Sequence, residues 1–209
     1  RKLTKSEVIF VGENSLFLEN ETVNKLLIEN NSHAKTIRKD RLDLNKLEQV
    51  LNAQEMIENA DVYVSIDGVL KAVVKQKTPI ARVFNDEGSF YIDSEGNTMP
   101  LSANFTARVP LVSGEINKKN NKDLFKLFKI IYDDAFLRKN IIGIQIMSNG
   151  SLLMLNRNYN YQIDFGSLIN VERKFQNYKA FFQKVSLDGS LDKYKKIDLR
   201  FTEQVVCTK

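Results

Sequence analysis

Apolar and polar residues alternate over the last fifteen positions of the chain, KKIDLRFTEQVVCTK. The apolar residues occupy every second position, interrupted only by Glu203: Ile197, Leu199, Phe201, Val205 and Cys207. A period of two is typical of a half-buried strand. The pattern therefore predicts a terminal strand over residues 197–207, whose free edge would offer unpaired backbone groups to another chain.

The first part of the chain predicts a small α+β unit. SEVIFVGENSLF contains a short strand, and NETVNKLLIEN and DLNKLEQVL have the apolar spacing of two helices, the first capped by Asn20. DVYVSI and VLKAVVKQK alternate and are joined by Asp67-Gly68, a dipeptide typical of hairpin turns. The predicted order is strand, helix, helix, strand, strand. Because Pro79 cannot donate to a strand ladder, we place the end of this domain at residue 78.

Residues 79–209 predict a second domain, a mixed β-sheet that carries two long helices. KDLFKLFKIIYDDAFLRK is interpreted as one continuous amphipathic helix, and LINVERKFQNYKAFFQKV as another. The remaining segments are short and β-type: IARVFN, SFYID, TMPL, ARVPLVSG, IIGIQIM, SLLMLNR and YNYQIDFG. The fold class is therefore α+β, with domains at 1–78 and 79–209.

Charge and composition narrow the classes of partner. The net charge is +5 and the isoelectric point about 9.1, but the lysines are spread along the chain, which indicates solubility and not nucleic-acid binding. A series near the first long helix is interpreted as its solvated face, with an anion-binding or membrane-surface face as the alternative: Lys118, Lys119, Lys122, Lys126 and Lys129.

The sequence carries no set of residues suited to catalysis or metal binding. Cys207 is the single cysteine and His33 the single histidine, so neither a cysteine zinc cluster nor a paired-histidine site can form. His33 lies in a polar connection and is interpreted as a surface residue. Asp133 and Asp134 are adjacent on the predicted helix and would point in different directions. DSEGN is interpreted as a hairpin turn, not a calcium loop. We expect a protein-binding module without a cofactor.

Several motifs in a fixed order resemble the bacterial cell-division family FtsQ/DivIB. They include FVGENSLF with its signature at Val11-Gly12-Glu13-Asn14, the stretch from Lys75 to Ala81, FYIDSEGNTMPLS, RVPLVSG and the closing Ile197-Asp198-Leu199-Arg200-Phe201. The chain departs from the family pattern where Lys and Gln replace an acidic residue before Thr78, and where Phe201 replaces the commoner Tyr.

The resemblance implies a fold, a location and partners. It implies a POTRA domain followed by a β-domain, in the extracytoplasmic part of a single-pass inner-membrane protein anchored through an N-terminal segment. It also implies a non-enzymatic divisome scaffold that binds FtsB and FtsL and helps to control septal peptidoglycan synthesis by FtsW and its transpeptidase partner.

The family's FtsB contact implies the candidate site. A partner strand would add to the C-terminal strand, with contacts at Arg200, Phe201, Thr202 and Glu203. Arg200 suits an acidic residue and Phe201 an apolar anchor, while core packing is the alternative for Phe201. Arg138 and Lys139, at the end of the first long helix, are expected on the same basic surface.

Three other functions remain as alternatives. Nucleic-acid binding would need the lysines gathered on one face. A POTRA-bearing transport or outer-membrane assembly factor would use the first domain to chaperone β-strands. A cell-wall hydrolase would need two converging carboxylates or a metal set.

Overall fold

The computed structural model describes residues 5–12, 17–29, 42–86, 88–117 and 120–209. The predictions for His33, Lys118, Lys119 and the signature residues Glu13 and Asn14 lie outside the described residues. The chain divides into two compact units. The first comprises Arg1–Thr78 and Met99–Ala107, and the second comprises Pro79–Thr98 and Arg108–Lys209.

The first unit has the predicted order β-α-α-β-β. Its elements are β1 (Lys5–Val11), α1 (Asn20–Glu29), α2 (Leu44–Asn52), β2 (Ile57–Val64) and β3 (Val69–Gln76). The sheet order is β1-β3-β2, with β1 parallel and β2 antiparallel to β3. Asp43 caps α2 by accepting a hydrogen bond from the Lys46 N–H at 3.0 Å. Both helices bury their apolar stripes against one face of the sheet, through residues that include Val23, Leu27, Leu47, Leu51, Val62, Ala72 and Val74.

Helix α2 also covers the outer edge of β2. The Ala60 N–H donates to Asn52 Oδ1 and the Val62 N–H donates to Glu48 Oε1, each at 2.8 Å. These alternate residues of β2 direct their backbone groups away from β3. Two side chains of the neighbouring helix therefore occupy the positions where an added strand would bind.

Among the described residues, the second unit contains a nine-stranded mixed sheet in the order β12-β11-β10-β9-β8-β7-β4-β5-β6. The strands are β4 (Pro79–Asn85), β5 (Gly88–Asp93), β6 (Thr98–Met99), β7 (Leu111–Ser113), β8 (Ile141–Ile146), β9 (Leu152–Asn156), β10 (Gln162–Gly166), β11 (Lys196–Asp198) and β12 (Val206–Thr208). The helices are α3 (Asn121–Asp133), α4 (Ala135–Asn140) and α5 (Val171–Ser186), followed by a 3₁₀ turn at Leu191–Lys193. They share one large core with the sheet.

The first long helix is two helices and not one, so the prediction of a continuous helix is wrong. Asp134 ends α3 with an extended conformation (φ −95°, ψ 115°), and its side chain accepts the Leu137 N–H at 3.0 Å to begin α4. An aspartate that caps a new helix interrupts the old one. The predicted apolar stripe is nevertheless buried at Leu124, Leu127, Phe128 and Ile131.

Across the described ranges, none of the helices has the length and hydropathy of a membrane span.

Candidate partner-binding surface

The chain ends in two short strands joined by a loop, so the predicted single strand over residues 197–207 is wrong. Strand β11 pairs with β10 on one side and with β12 on the other. Residues 199–205 form the connection, hereafter the C-terminal loop. The Asp198 carboxylate accepts the Arg200 N–H at 3.0 Å, which replaces a ladder hydrogen bond with a local turn. The free side of β11 is therefore covered by the chain's own last residues.

Strand β12 forms this edge of the sheet within the described residues. Leu199 donates its N–H to Asp164 O on β10 at 2.8 Å, so alternate residues of β11 face β10, while Lys196 and Asp198 face β12. Their partners are Thr208 and Val206. The residue between these two, Cys207, then directs its backbone N–H and C=O outward. The open backbone positions belong to β12 and not to the C-terminal loop.

Arg200 is held by carboxylates of its own sheet. Its Nη2 donates to Asp198 Oδ2 at 2.6 Å and its Nε to Asp198 Oδ1 at 3.0 Å, a two-bond pair. Asp164 Oδ2 lies 3.4 Å from Arg200 Nε and 2.7 Å from Lys196 Nζ. The hydrogen bonds from Arg200 outweigh the effect of burial and hold the pKa of Asp198 below its ordinary 3.8.

A glycine on β10 makes room for the Arg200 side chain. Gly166 has φ +71°, and a Cβ at this position would lie 2.7 Å from Arg200 Cγ. Glycine is therefore required at this position for two reasons, the positive φ of the backbone and the close approach of the arginine stem. The guanidinium itself stays half-exposed, since the side chain retains 52% of its accessible surface.

Phe201 lies outside the core. Leu199 is 1% exposed, whereas Phe201 is 49% exposed, so the alternation of the predicted strand ends before Phe201. The Thr202 carbonyl accepts a hydrogen bond from Asn177 Nδ2 on α5 at 2.8 Å. Glu203 lies 3.5 Å from Arg173, and both side chains are well exposed. The C-terminal loop is thus tied to α5 by the two residues that follow an exposed aromatic ring.

Arg138 and Lys139 lie at the opposite end of the sheet from Arg200. They precede Ile141 at the start of β8, whereas the far end of β8 at Ile146 pairs with Leu152. Leu152 in turn pairs with Gly166, beside Arg200. Five residues of strand separate the two ends, about 16 Å. Arg138 and Lys139 are therefore separated from Arg200 by the length of strand β8.

Comparison with protein-family models shows to which family this chain belongs. The model described as FtsQ/DivIB, C-terminal related, matches residues 78–208, well over half of the sequence. The chain belongs to the FtsQ/DivIB family. Proteins of this family act in bacterial cell division and are not enzymes.

Other comparisons are more distant. One solved structure, the major extracytoplasmic domain of the trans isomer of the cell-division protein DivIB from Geobacillus stearothermophilus, is 13% identical with a TM-score of 0.39. The alignment covers 54% of this chain and 96% of that one. No curated protein matches the sequence significantly.

The structure explains two of the FtsQ/DivIB motifs. In FYIDSEGN, the Asp93 carboxylate accepts the backbone N–H groups of Glu95 and Asn97 at 3.0 and 2.8 Å, so the segment is the predicted hairpin turn. In PLVSG, Gly114 has φ +96° and lies so close to β8 that a Cβ would overlap the Ile146 carbonyl. Both motifs therefore shape turns of the sheet.

The two carboxylates that converge in this unit form ion pairs and not an acid/base pair. Asp164 and Asp198 both face Arg200, and Lys196 contacts Asp164. Cationic side chains contact both carboxylates. The pKa of Asp198 is lowered, whereas a general acid needs a raised pKa to stay protonated near neutral pH. In the ranges that the structure describes, no three potential metal ligands come together.

Sequence reasoning missed the residues that support Arg200. The role of Asp198 could have been inferred from the spacing Asp-x-Arg, because one carboxylate at this spacing can bind both the backbone and the side chain of the arginine. Asp164, Gly166 and Asn177 carry no such local signal, because they reach the C-terminal loop only through the pairing of β10 with β11 and the packing of α5.

Proposed function

We propose that this chain is the extracytoplasmic part of a single-pass inner-membrane divisome protein that binds FtsB- and FtsL-like partners. In this role it would help to control septal peptidoglycan synthesis by FtsW and its transpeptidase partner. Family membership supports the divisome assignment. The observation that carries the binding mode is the outward-facing backbone of Cys207 on the terminal edge strand.

A partner segment would add to β12 as a further strand. Main-chain hydrogen bonds to an open edge give such complexes affinity, and alternate side chains give them specificity. β12 has only three residues, so the edge alone offers few hydrogen bonds and neighbouring side chains must contribute. Phe201, half-exposed in the loop that leads into β12, is the apolar anchor.

Arg200 would contribute through its unused donors. A guanidinium has five N–H groups, and Asp198 engages Nε and one N–H of Nη2. The Nη1 edge is left for an acidic residue of the partner. Thr202 and Glu203, in the same loop, are proposed as rim contacts. Arg138 and Lys139 would be reached only by a partner that continues along the sheet to its other end.

Replacement of Cys207 by proline tests strand addition directly. Cys207→Pro removes the outward N–H, and proline is tolerated on edge strands, so the domain should fold. Cys207→Ala is the matched control, since it alters the same side chain and keeps the N–H. We expect the extracytoplasmic segment of the FtsB-like protein to bind the alanine variant normally and the proline variant at least about 10-fold more weakly. Equal affinity of the two folded variants would exclude pairing along β12.

A second experiment tests the anchor. Phe201→Glu should reduce capture of the same FtsB-like segment, because a carboxylate replaces an apolar ring at the contact. Leu187→Glu is the control, since Leu187 is 87% exposed at the far end of α5. Undiminished capture by Phe201→Glu would remove Phe201 from the interface. Arg200→Glu should weaken binding most at low salt, because charged contacts are screened as ionic strength rises.

The covered β2 edge disfavours the strand-chaperone alternative at this side of the first unit's sheet. A POTRA-type chaperone needs an open edge to which substrate strands can add. In the first unit, Asn52 and Glu48 already bind the outward N–H groups of Ala60 and Val62. An extended peptide would have to displace both side chains, which disfavours strand addition at β2.

A further inference from the structure

A buried lysine lies beneath the turn that supports Arg200. Lys174, in the first turn of α5, is only 2% exposed. Its Nζ donates to the carbonyl of Phe165 at 2.9 Å and to that of Ser167 at 2.7 Å. Burial lowers the pKa of this ammonium, against the opposing influence of Asp164. An ammonium is costly to bury, so its hydrogen bonds to these two carbonyls hold the segment firmly in place.

The two carbonyls flank Gly166, the residue on which Arg200 rests. Lys174 therefore binds the carbonyls of the residues before and after the glycine whose missing side chain admits the arginine stem. Lys174 and Arg200 line the same cleft of about 370 Å³, together with Asp164, Ser167 and Met147. A continuous set of contacts thus joins the buried ammonium, the β10 turn and the guanidinium.

We propose that Lys174 and Gly166 are positioning residues for Arg200. They hold the β10 turn in a shape that admits the arginine stem and directs the Nη1 edge of the guanidinium at an acidic residue of the partner. This inference rests on the proposed function, since it assigns a role in the same binding surface. A purely structural lysine would stabilise the turn without affecting what Arg200 binds.

The first measurement needs no partner. The Nε–Hε resonance of Arg200 in the ¹⁵N-labelled chain reports the environment of the guanidinium. Lys174→Met keeps the length of the side chain but removes both hydrogen bonds, and should shift or broaden this resonance. Lys179→Met, on the same helix but paired with Asp134, should leave it unchanged. An unchanged Arg200 resonance in Lys174→Met would overturn the proposal, and so would failure of this variant to fold, which would make Lys174 a general stabiliser.

The second measurement is a double-mutant cycle on binding of the FtsB-like segment. Lys174→Met should weaken binding about 5-fold in the native chain and less than about 2-fold in an Arg200→Ala background, because residues that act through one another are not additive. Gly166→Ala should behave in the same way. Fully additive losses would overturn the positioning role while leaving the partner site intact. If Arg200→Ala alone has no effect, the proposed contact of Arg200 fails, and the resonance experiment still decides the role of Lys174.

Discussion

Asp198 binds Arg200 twice, once at its backbone N–H and again at its guanidinium. Oδ1 accepts the backbone N–H and the Nε–H of Arg200, each at 3.0 Å, and Oδ2 accepts an N–H of Nη2 at 2.6 Å. The turn and the side-chain orientation are therefore set by one carboxylate. This arrangement explains why an aspartate precedes the arginine at this spacing in a segment that would otherwise continue as a strand.

Asp198→Asn should destabilise the chain in a way that depends on pH. The native pKa of Asp198 lies below its ordinary 3.8, so the carboxylate stabilises the fold above that pH and loses this contribution as the pH falls towards the native pKa. The melting temperature of Asp198→Asn should be lower than that of the native chain at neutral pH, and the difference should narrow below pH ~3.8. Thermal melts across this range measure it, with the exposed Asp192→Asn as control. A difference that is constant with pH would contradict the ion pair.

Gly114→Ala should destabilise the second unit severely. The new Cβ would overlap the carbonyl of Ile146, and φ at this position is +96°. We expect a loss of about 3 kcal/mol or more in the free energy of unfolding, measured by urea denaturation. Gly150→Ala is the matched control, because Gly150 also has a positive φ of +81° but no atom within 4 Å of a Cβ. Its loss in the free energy of unfolding should stay at about 1 kcal/mol. Equal losses would show that backbone strain alone matters at Gly114.

Asp134→Ala should loosen the junction between α3 and α4. The substitution removes the N-cap of α4 at Leu137 and the ion pair with Lys179 on α5. We expect a loss of about 1–2 kcal/mol in unfolding free energy. Asp133→Ala, one position earlier and exposed, should cost little. A similar loss for the two variants would show that neither the cap nor the ion pair contributes measurably.

Local patterns predicted the elements that depend on local chemistry. The alternation in β2 and β3, the apolar stripe of α2 and the DSEGN turn all follow from the residues within each segment. The break at Asp134 was missed because the apolar spacing continues through it, whereas the carboxylate favours a new cap. Periodicity alone cannot detect an aspartate that competes for backbone hydrogen bonds.

The candidate site was less predictable because its support is distant in sequence. The alternation near the C-terminus predicted a strand, and β11 and β12 do lie in that region, but the turn at Asp198 folds the second onto the first. The alternating pattern does not predict that Phe201 is exposed, because Leu199, two positions earlier in the same pattern, is buried. Gly166 and Lys174 reach Arg200 only through tertiary contacts.

Removing the two side chains that cover β2 should expose its backbone N–H groups and cause the chain to self-associate. Glu48 and Asn52 accept the N–H groups of Val62 and Ala60 at 2.8 Å, and loss of each acceptor should cost about 1 kcal/mol in unfolding free energy. The combined Glu48→Ala, Asn52→Ala variant would leave unpaired donors at alternate positions of an exposed strand, which is a template for strand addition. We expect analytical ultracentrifugation to show concentration-dependent self-association of this variant. The native chain should not associate through this edge, and neither should the control Gln49→Ala, since Gln49 is exposed on the same helix. A monodisperse double variant with unchanged stability would show that the two side chains do not protect β2, and this edge would then be no obstacle to a strand-chaperone function.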